Sequence, residues 1–228
     1  MAMDIGISRR RFLIGGAMLP AAALAACAGS LRYQLTDVIR RLLQASSQRA
    51  FTALLAPDGF LHDEMARVNL PRALGGDAGG NVLRALVLTE PVRRRLLRQL
   101  NQVAARAADR AAPVIADAIL DMPVIDAQAI IRGGPTAASL VLEQHVGDSL
   151  FRALVPGVDE ALRLFDDKAL NDALRVATGI DVSALRDDVA HQTAKGIFRA
   201  MGREEAAIRA DPRNTKDPVL IAVFGGRR

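Results

Sequence analysis

The chain has 228 residues, half of them hydrophobic but only 4% aromatic, with no Trp and a formal charge of +5. That balance is mildly basic and lies far from the profile of a nucleic-acid-binding domain, and the scarcity of rings argues against sugar-stacking platforms and cation cages. A single cysteine excludes an intramolecular disulfide and any zinc or redox centre built on cysteines.

The first 30 residues read as an address. Ser8-Arg9-Arg10-Arg11-Phe12-Leu13 resembles the twin-arginine export motif, a receptor-read signal in which Arg9 and Arg10 are the paired arginines. An arginine-rich leader for the general export route is the alternative. The apolar run from Leu13 to Ala26 follows, interrupted by Gly15, Gly16 and Pro20. It is short of the ~20 apolar residues that cross a bilayer and close to the ~7–15 of a signal-peptide core. Leu24-Ala25-Ala26-Cys27 resembles a bacterial lipobox. The resemblance implies cleavage before Cys27 and a diacylglyceryl group on its thiol; Ala28 in the next position implies release to the outer membrane. The expected organisation is a signal peptide at 1–26, a lipid anchor and short linker at 27–34, and one helical domain at 35–225. Removing residues 1–26 leaves 202, enough for one good-sized core, and takes away a net +2 (Arg9, Arg10, Arg11 and Asp4), so the remainder carries +3.

From there nearly every segment repeats at helical period. Leu35, Val38, Ile39, Leu42 and Leu43 form a stripe continued by Ala50, Phe51, Leu54 and Leu55, and Pro57-Asp58-Gly59 breaks it. Residues 71–81 hold four glycines and a proline and read as a mobile connection. Pro91 suits a first turn, and Val92, Leu96, Leu100, Val103, Ala107 and Ala111 make the next stripe. Pro113 is expected to start or kink a short helix through Leu120, with another over 124–131. Gly133-Gly134-Pro135 opens a helix bearing Leu140, Val141, Phe151 and Leu154, which Pro156-Gly157 is expected to end. Val158, Ala161, Leu162, Phe165, Ala173 and Leu174 predict a further helix closed by Gly179. Val182, Leu185, Val189, Gly196, Ile197 and Met201 stripe the last long one, with Arg186, Asp187, Asp188, Lys195 and Arg199 mostly outward. Asp211-Pro212 stops it before a short apolar tail over 219–224. With no alternating strand and no fixed repeat, the expectation is an all-α, single-domain helical bundle of roughly seven to nine helices with short connections.

Three stretches together resemble a known family: Pro57 to Leu61; Ala118-Ile119 through Met122, Asp126-Ala127 and Ile130-Ile131 into Gly134-Pro135 and Ala137-Ala138; and Ile208-Arg209, Asp211-Pro212 and Thr215 to Gly225. The chain resembles domain-of-unknown-function family 4197, exported bacterial proteins, over roughly residues 35–225. One departure is Val38-Ile39-Arg40-Arg41-Leu42-Leu43, where the family often shows Gly-Leu-Lys-Glu-Ala-Leu. The resemblance implies a helical fold and transfers no activity, cofactor or catalytic residue.

Candidate sites are few. Asp187 and His191 stand four apart on one helix, a spacing that offers two metal ligands, but no third ligand accompanies them; a solvent-facing pair is the simpler reading. His62-Asp63-Glu64 points in divergent directions and fits a helix start. Gly133-Gly134-Pro135-Thr136 before a helix has the form of an anion cradle on backbone amides but lacks the lysine and spacing of a phosphate loop, and an ordinary turn plus helix start is the favoured reading. Arg93, Arg94, Arg95 and Arg98, with Arg106 and Arg110 further on, form a basic patch that near a bilayer could contact anionic headgroups; a solvated helix face is the simpler reading. No catalytic residue, metal site or cofactor is assigned. The expected function is a non-enzymatic lipoprotein anchored through Cys27 that binds a protein, a lipid or the envelope surface, not nucleic acid. The competing expectation is an envelope hydrolase whose site assembles from scattered polar residues.

Overall fold

The computed structural model describes residues 21–70, 89–163 and 182–226. Among them lie seven α-helices and no strand, packed as a single bundle: α1 (Ala21–Leu54), α2 (Gly59–His62), α3 (Glu90–Asp121), α4 (Ala127–Arg132), α5 (Ala137–Arg163), α6 (Val182–Ala210) and α7 (Pro218–Phe224), with a 3-10 turn at Pro212–Thr215 before the last. The all-α expectation holds. The 71–81 connection and the segment bearing Phe165, Ala173, Leu174 and Gly179 lie outside the described residues, as does the arginine leader. Cys27 and residues 28–34 fall within α1.

The apolar stripes become the core. Val38, Ile39, Leu42, Leu43 and Leu54 of α1 meet Leu96, Leu100, Ile115 and Ile119 of α3, Leu142, Leu150 and Leu154 of α5, and Val189, Ile197 and Met201 of α6, all buried. Each such side chain contributes about 1.5–3 kcal/mol on burial. Ser46 lies on the buried face of α1 and donates its hydroxyl back to the Leu42 carbonyl at 2.7 Å, so it costs the core no unpaired group.

α1 ends where Asp58 enters the left-handed region at φ 54°, and Gly59 comes so close that a Cβ there would stand 2.3 Å from the Ala53 carbonyl oxygen. Only glycine fits that turn. Helices α3 and α5 approach through small residues: a Cβ on Gly157 would lie 3.2 Å from the Ala107 Cα. Arg110 and Glu160 pair across the rim of this crossing.

Pro113 does not start a separate helix, and Pro156 does not end one as expected. Pro113 sits inside α3 and Pro156 inside α5, which runs unbroken to Arg163. An internal proline deprives the carbonyl four residues earlier of its donor. Here Asp109 and Arg152, which own those carbonyls, are exposed residues, as are both prolines. Gly157 stays helical because its bare backbone is what α3 packs against.

Candidate functional site

The deepest polar cluster forms where the Gly133–Thr136 turn starts α5. The amides of Ala138 and Ser139 donate to Glu205 of α6, at 3.0 and 2.7 Å, and the Glu205 side chain is fully buried. Arg209, one turn on, donates Nε to the same carboxylate at 2.8 Å and caps the end of α4 through the Ile131 and Ile130 carbonyls at 2.9 and 3.1 Å. Its guanidinium carbon lies 4.9 Å from the centroid of the Phe224 ring of α7. The carboxylate therefore sits at the positive end of α5 and the cation at the negative end of α4, which both helix dipoles favour. The turn at Gly133–Thr136 is an ordinary helix start, and the protein's own carboxylate takes the amides that follow it. Thr136 and Ser139 are closed over by α6, since a Cβ on Gly202 would stand 3.2 Å from Thr136 Cγ2.

A second cluster holds the extended segment after α2. Asp63 accepts from the amides of Met65 and Ala66 at 2.9 and 3.0 Å and from Arg203 of α6 at 2.6 Å. Partial burial pushes the Asp63 carboxyl up, but Arg203 and the two amides outweigh it and hold it below the usual carboxylate range. Further along, buried Asn101 of α3 pairs with both backbone groups of Val68: the Val68 amide donates to its Oδ1 at 2.8 Å and its Nδ2 donates back to the Val68 carbonyl at 2.9 Å. Gln192 of α6 repeats the device on Asn69, at 2.8 and 3.3 Å. Ala66 presses on Gly196, where a Cβ would stand 2.7 Å from the Ala66 carbonyl oxygen. Two side-chain amides and a glycine thus do for this segment what a neighbouring strand does in a sheet.

The other sequence candidates separate. Asp63 belongs to this turn, while His62 and Glu64 are exposed. Asp187 pairs with Arg186 at 2.8 Å, and His191 stacks on Phe151 with ring centroids 3.9 Å apart and planes 13° from parallel. They do not converge, and among the described residues no group of three His, Cys, Asp or Glu could hold a metal ion. Arg186, Asp187 and Asp188 are half-buried rather than outward. Arg93, Arg94, Arg95 and Arg98 are all exposed at the start of α3. Arg93 is 3.6 Å from Glu90 and Arg98 is 3.9 Å from Asp58. Arg93 lies in the first turn, where the helix dipole disfavours a cation by about 0.3–1 kcal/mol, and the other three lie beyond it.

At the far end of α3 a groove of about 320 Å³ opens against α1, lined by Gln44, Ser47, Gln48 and Phe51 on one side and Ala112, Ala116, Ile119 and Leu120 on the other. No charged side chain lines it, and Leu120 is 53% exposed at its edge. Among the described residues no helix is long and apolar enough to cross a membrane.

Residues 32–225 match the family described as protein of unknown function (DUF4197). The chain belongs to this family. No curated protein and no solved structure matches it. In this DUF4197 protein the Ile130 and Ile131 carbonyls, the Ala138 amide, Arg209 and Phe224 all close on the Glu205–Arg209 pair, which makes the pair a scaffold joint. Glu205 and Asn101 were passed over in the sequence. The signal available was a polar residue on a buried stripe, Glu205 between Met201 and Ile208, and Asn101 between Leu100 and Ala104.

Proposed function

We propose that this protein is an exported, envelope-anchored lipoprotein whose helical domain is a non-enzymatic binding or structural module. The observation that carries the reading is Leu24-Ala25-Ala26-Cys27 at the end of a short apolar core preceded by Arg9 and Arg10. Ala28 favours the outer membrane as its destination. The acidic and amide groups that look chemically rich support a binding role over catalysis, because the fold consumes them: Glu205 caps α5, Asp63 shapes a turn, and Asn101 and Gln192 hold backbone. Arg93, Arg94, Arg95 and Arg98 supply contact with an anionic surface.

Mass spectrometry of the mature N-terminus tests the anchor. The expected result is a chain beginning at a diacylated Cys27, and an intact leader or a bare thiol refutes it. Cys27→Ser is expected to leave the domain folded and release it from membranes, because a single acylated residue is the proposed link to the bilayer.

A further inference from the structure

The exposed side of α3 has a graded character. Arg94, Arg98, Gln102, Asp109, Ala116 and Leu120 follow one another at spacings of four or seven, so they form one stripe along the helix, and all are exposed. The arginines stand beside the end of α1, as the approach of Arg98 to Asp58 requires, and Ala116 and Leu120 border the groove that α1 shares. The neighbouring exposed stripe of α1 runs Asp37, Arg41, Gln44, Gln48 and Thr52, with the first two paired to each other at 2.7 Å. The exposed side of α3 and α1 therefore carries cations at one end and a groove lined by no charge at the other, with the exposed carboxylates of Asp109, Asp117 and Asp121 on α3 and Asp37 on α1.

From this arrangement we infer that the α1–α3 face lies on the leaflet that holds the anchor, with phospholipid acyl chain in the groove and Arg94 and Arg98 on anionic headgroups. The inference rests on the membrane-anchored reading above and goes beyond it by naming the surface and its occupant. Two observations select a lipid. The groove offers apolar walls and neutral amides with no charge to pair a protein side chain, and the helix that forms one wall is the helix containing Cys27. Gln44 lies 17 residues after Cys27, about 25 Å along α1 at 1.5 Å per residue, so an anchored chain whose α1 runs along the bilayer brings the groove to the lipid.

Photo-crosslinking tests this with the full membrane-extracted chain in phosphatidylcholine vesicles, with and without phosphatidylglycerol, doped with a lipid carrying a diazirine in its acyl chain. Adducts are expected on residues 44–51 and 112–120, and not on Gln144, Asp148 or Lys195, which are exposed on α5 and α6. Leu120→Glu is expected to cut the groove adducts at least about fivefold with helicity unchanged, as an exposed site allows. In the Cys27→Ser chain, Arg94→Gln with Arg98→Gln is expected to weaken binding to the phosphatidylglycerol vesicles about 30-fold, from about fivefold per cation. Adducts spread evenly over the bundle, or a bare groove, overturn the inference. A detergent-phase dimer that Leu120→Glu dissolves, with the groove free of lipid, assigns it to a second copy and also overturns it. The mass of the Cys27 peptide in the same sample separates the two readings. An unlipidated Cys27 with groove adducts removes the anchor and keeps the face; a lipidated Cys27 with a bare groove does the reverse.

Discussion

Replacing Glu205 is expected to be the most damaging single change in the described core. Glu205→Ala leaves the Ala138 and Ser139 amides without acceptors and strands Arg209, whose side chain is only 9% exposed, beside an empty site. Removing one partner of a buried ion pair costs about 3–5 kcal/mol. Against a total of about 5–15 kcal/mol the domain still folds, but for a chain of this size the midpoint should fall by about 6–20 °C. Glu205→Gln keeps the shape yet turns an amide donor toward other donors, at about 1–3 kcal/mol. The decisive comparison is Glu205→Leu with Arg209→Met. Losing both charges together should cost less than the sum of the two single changes, with a coupling of about 1–3 kcal/mol. Urea unfolding followed by circular dichroism measures all of these. A Glu205→Ala cost near the ~0.5 kcal/mol of a surface change, or strict additivity in the double variant, would show that the pair is not the joint described.

Asn101→Ala should lose about 2–4 kcal/mol in the same assay, because both backbone groups of buried Val68 are left unpaired. Gly196→Ala should destabilise by about 1–3 kcal/mol, since its Cβ meets the Ala66 backbone rather than a yielding side chain. Gly147→Ala should instead gain about 0.5–1 kcal/mol, because Gly147 is mid-helix with open space around its missing Cβ. Stability should also fall in acid. Burial raises Asp217, but the Leu220 and Val219 amides and Arg41 hold it below its ordinary value, as Arg203 and two amides do for Asp63. A carboxyl depressed by folding contributes above its unfolded pKa of about 4 and loses that contribution as pH drops through the lower folded value. Urea midpoints taken from neutral pH downward should decline below about pH 4, and Asp63→Asn should flatten that decline.

The helical stripes at 35–54, 92–111 and 182–201 were legible because burial follows period, and Ile39, Leu100 and Ile197 all lie where the pattern puts them. The prolines misled for a physical reason. Pro113 and Pro156 do remove a donor, but one lost hydrogen bond within helices of 32 and 27 residues is outweighed by the packing of the rest of the helix, and that packing is not written at the proline itself. The glycine turn before α5 was legible as a helix start, while the carboxylate that caps it comes from 67 residues away and shows only once α5 and α6 are seen together. Asn101 was hidden for a similar reason. Its partner is the backbone of Val68, and a backbone group leaves no letter in the sequence.

The joint at Glu205 also sets an order of assembly. Helix α5 is synthesised well before residues 205–209, so in a growing chain its first turn exposes the Ala138 and Ser139 amides, and α4 leaves the Ile130 and Ile131 carbonyls bare. Neither helix end closes until the last quarter of the protein arrives and contributes a carboxylate and a guanidinium at once. These contacts span 66 to 79 residues, and closing such long loops is what slows folding. A nascent chain that stops short of Arg209 is left with two frayed helix ends in the middle of its core, a form suited to capture by chaperones or proteases. The C-terminal segment thus supplies the caps of two helices at once, closing the start of α5 and the end of α4 together.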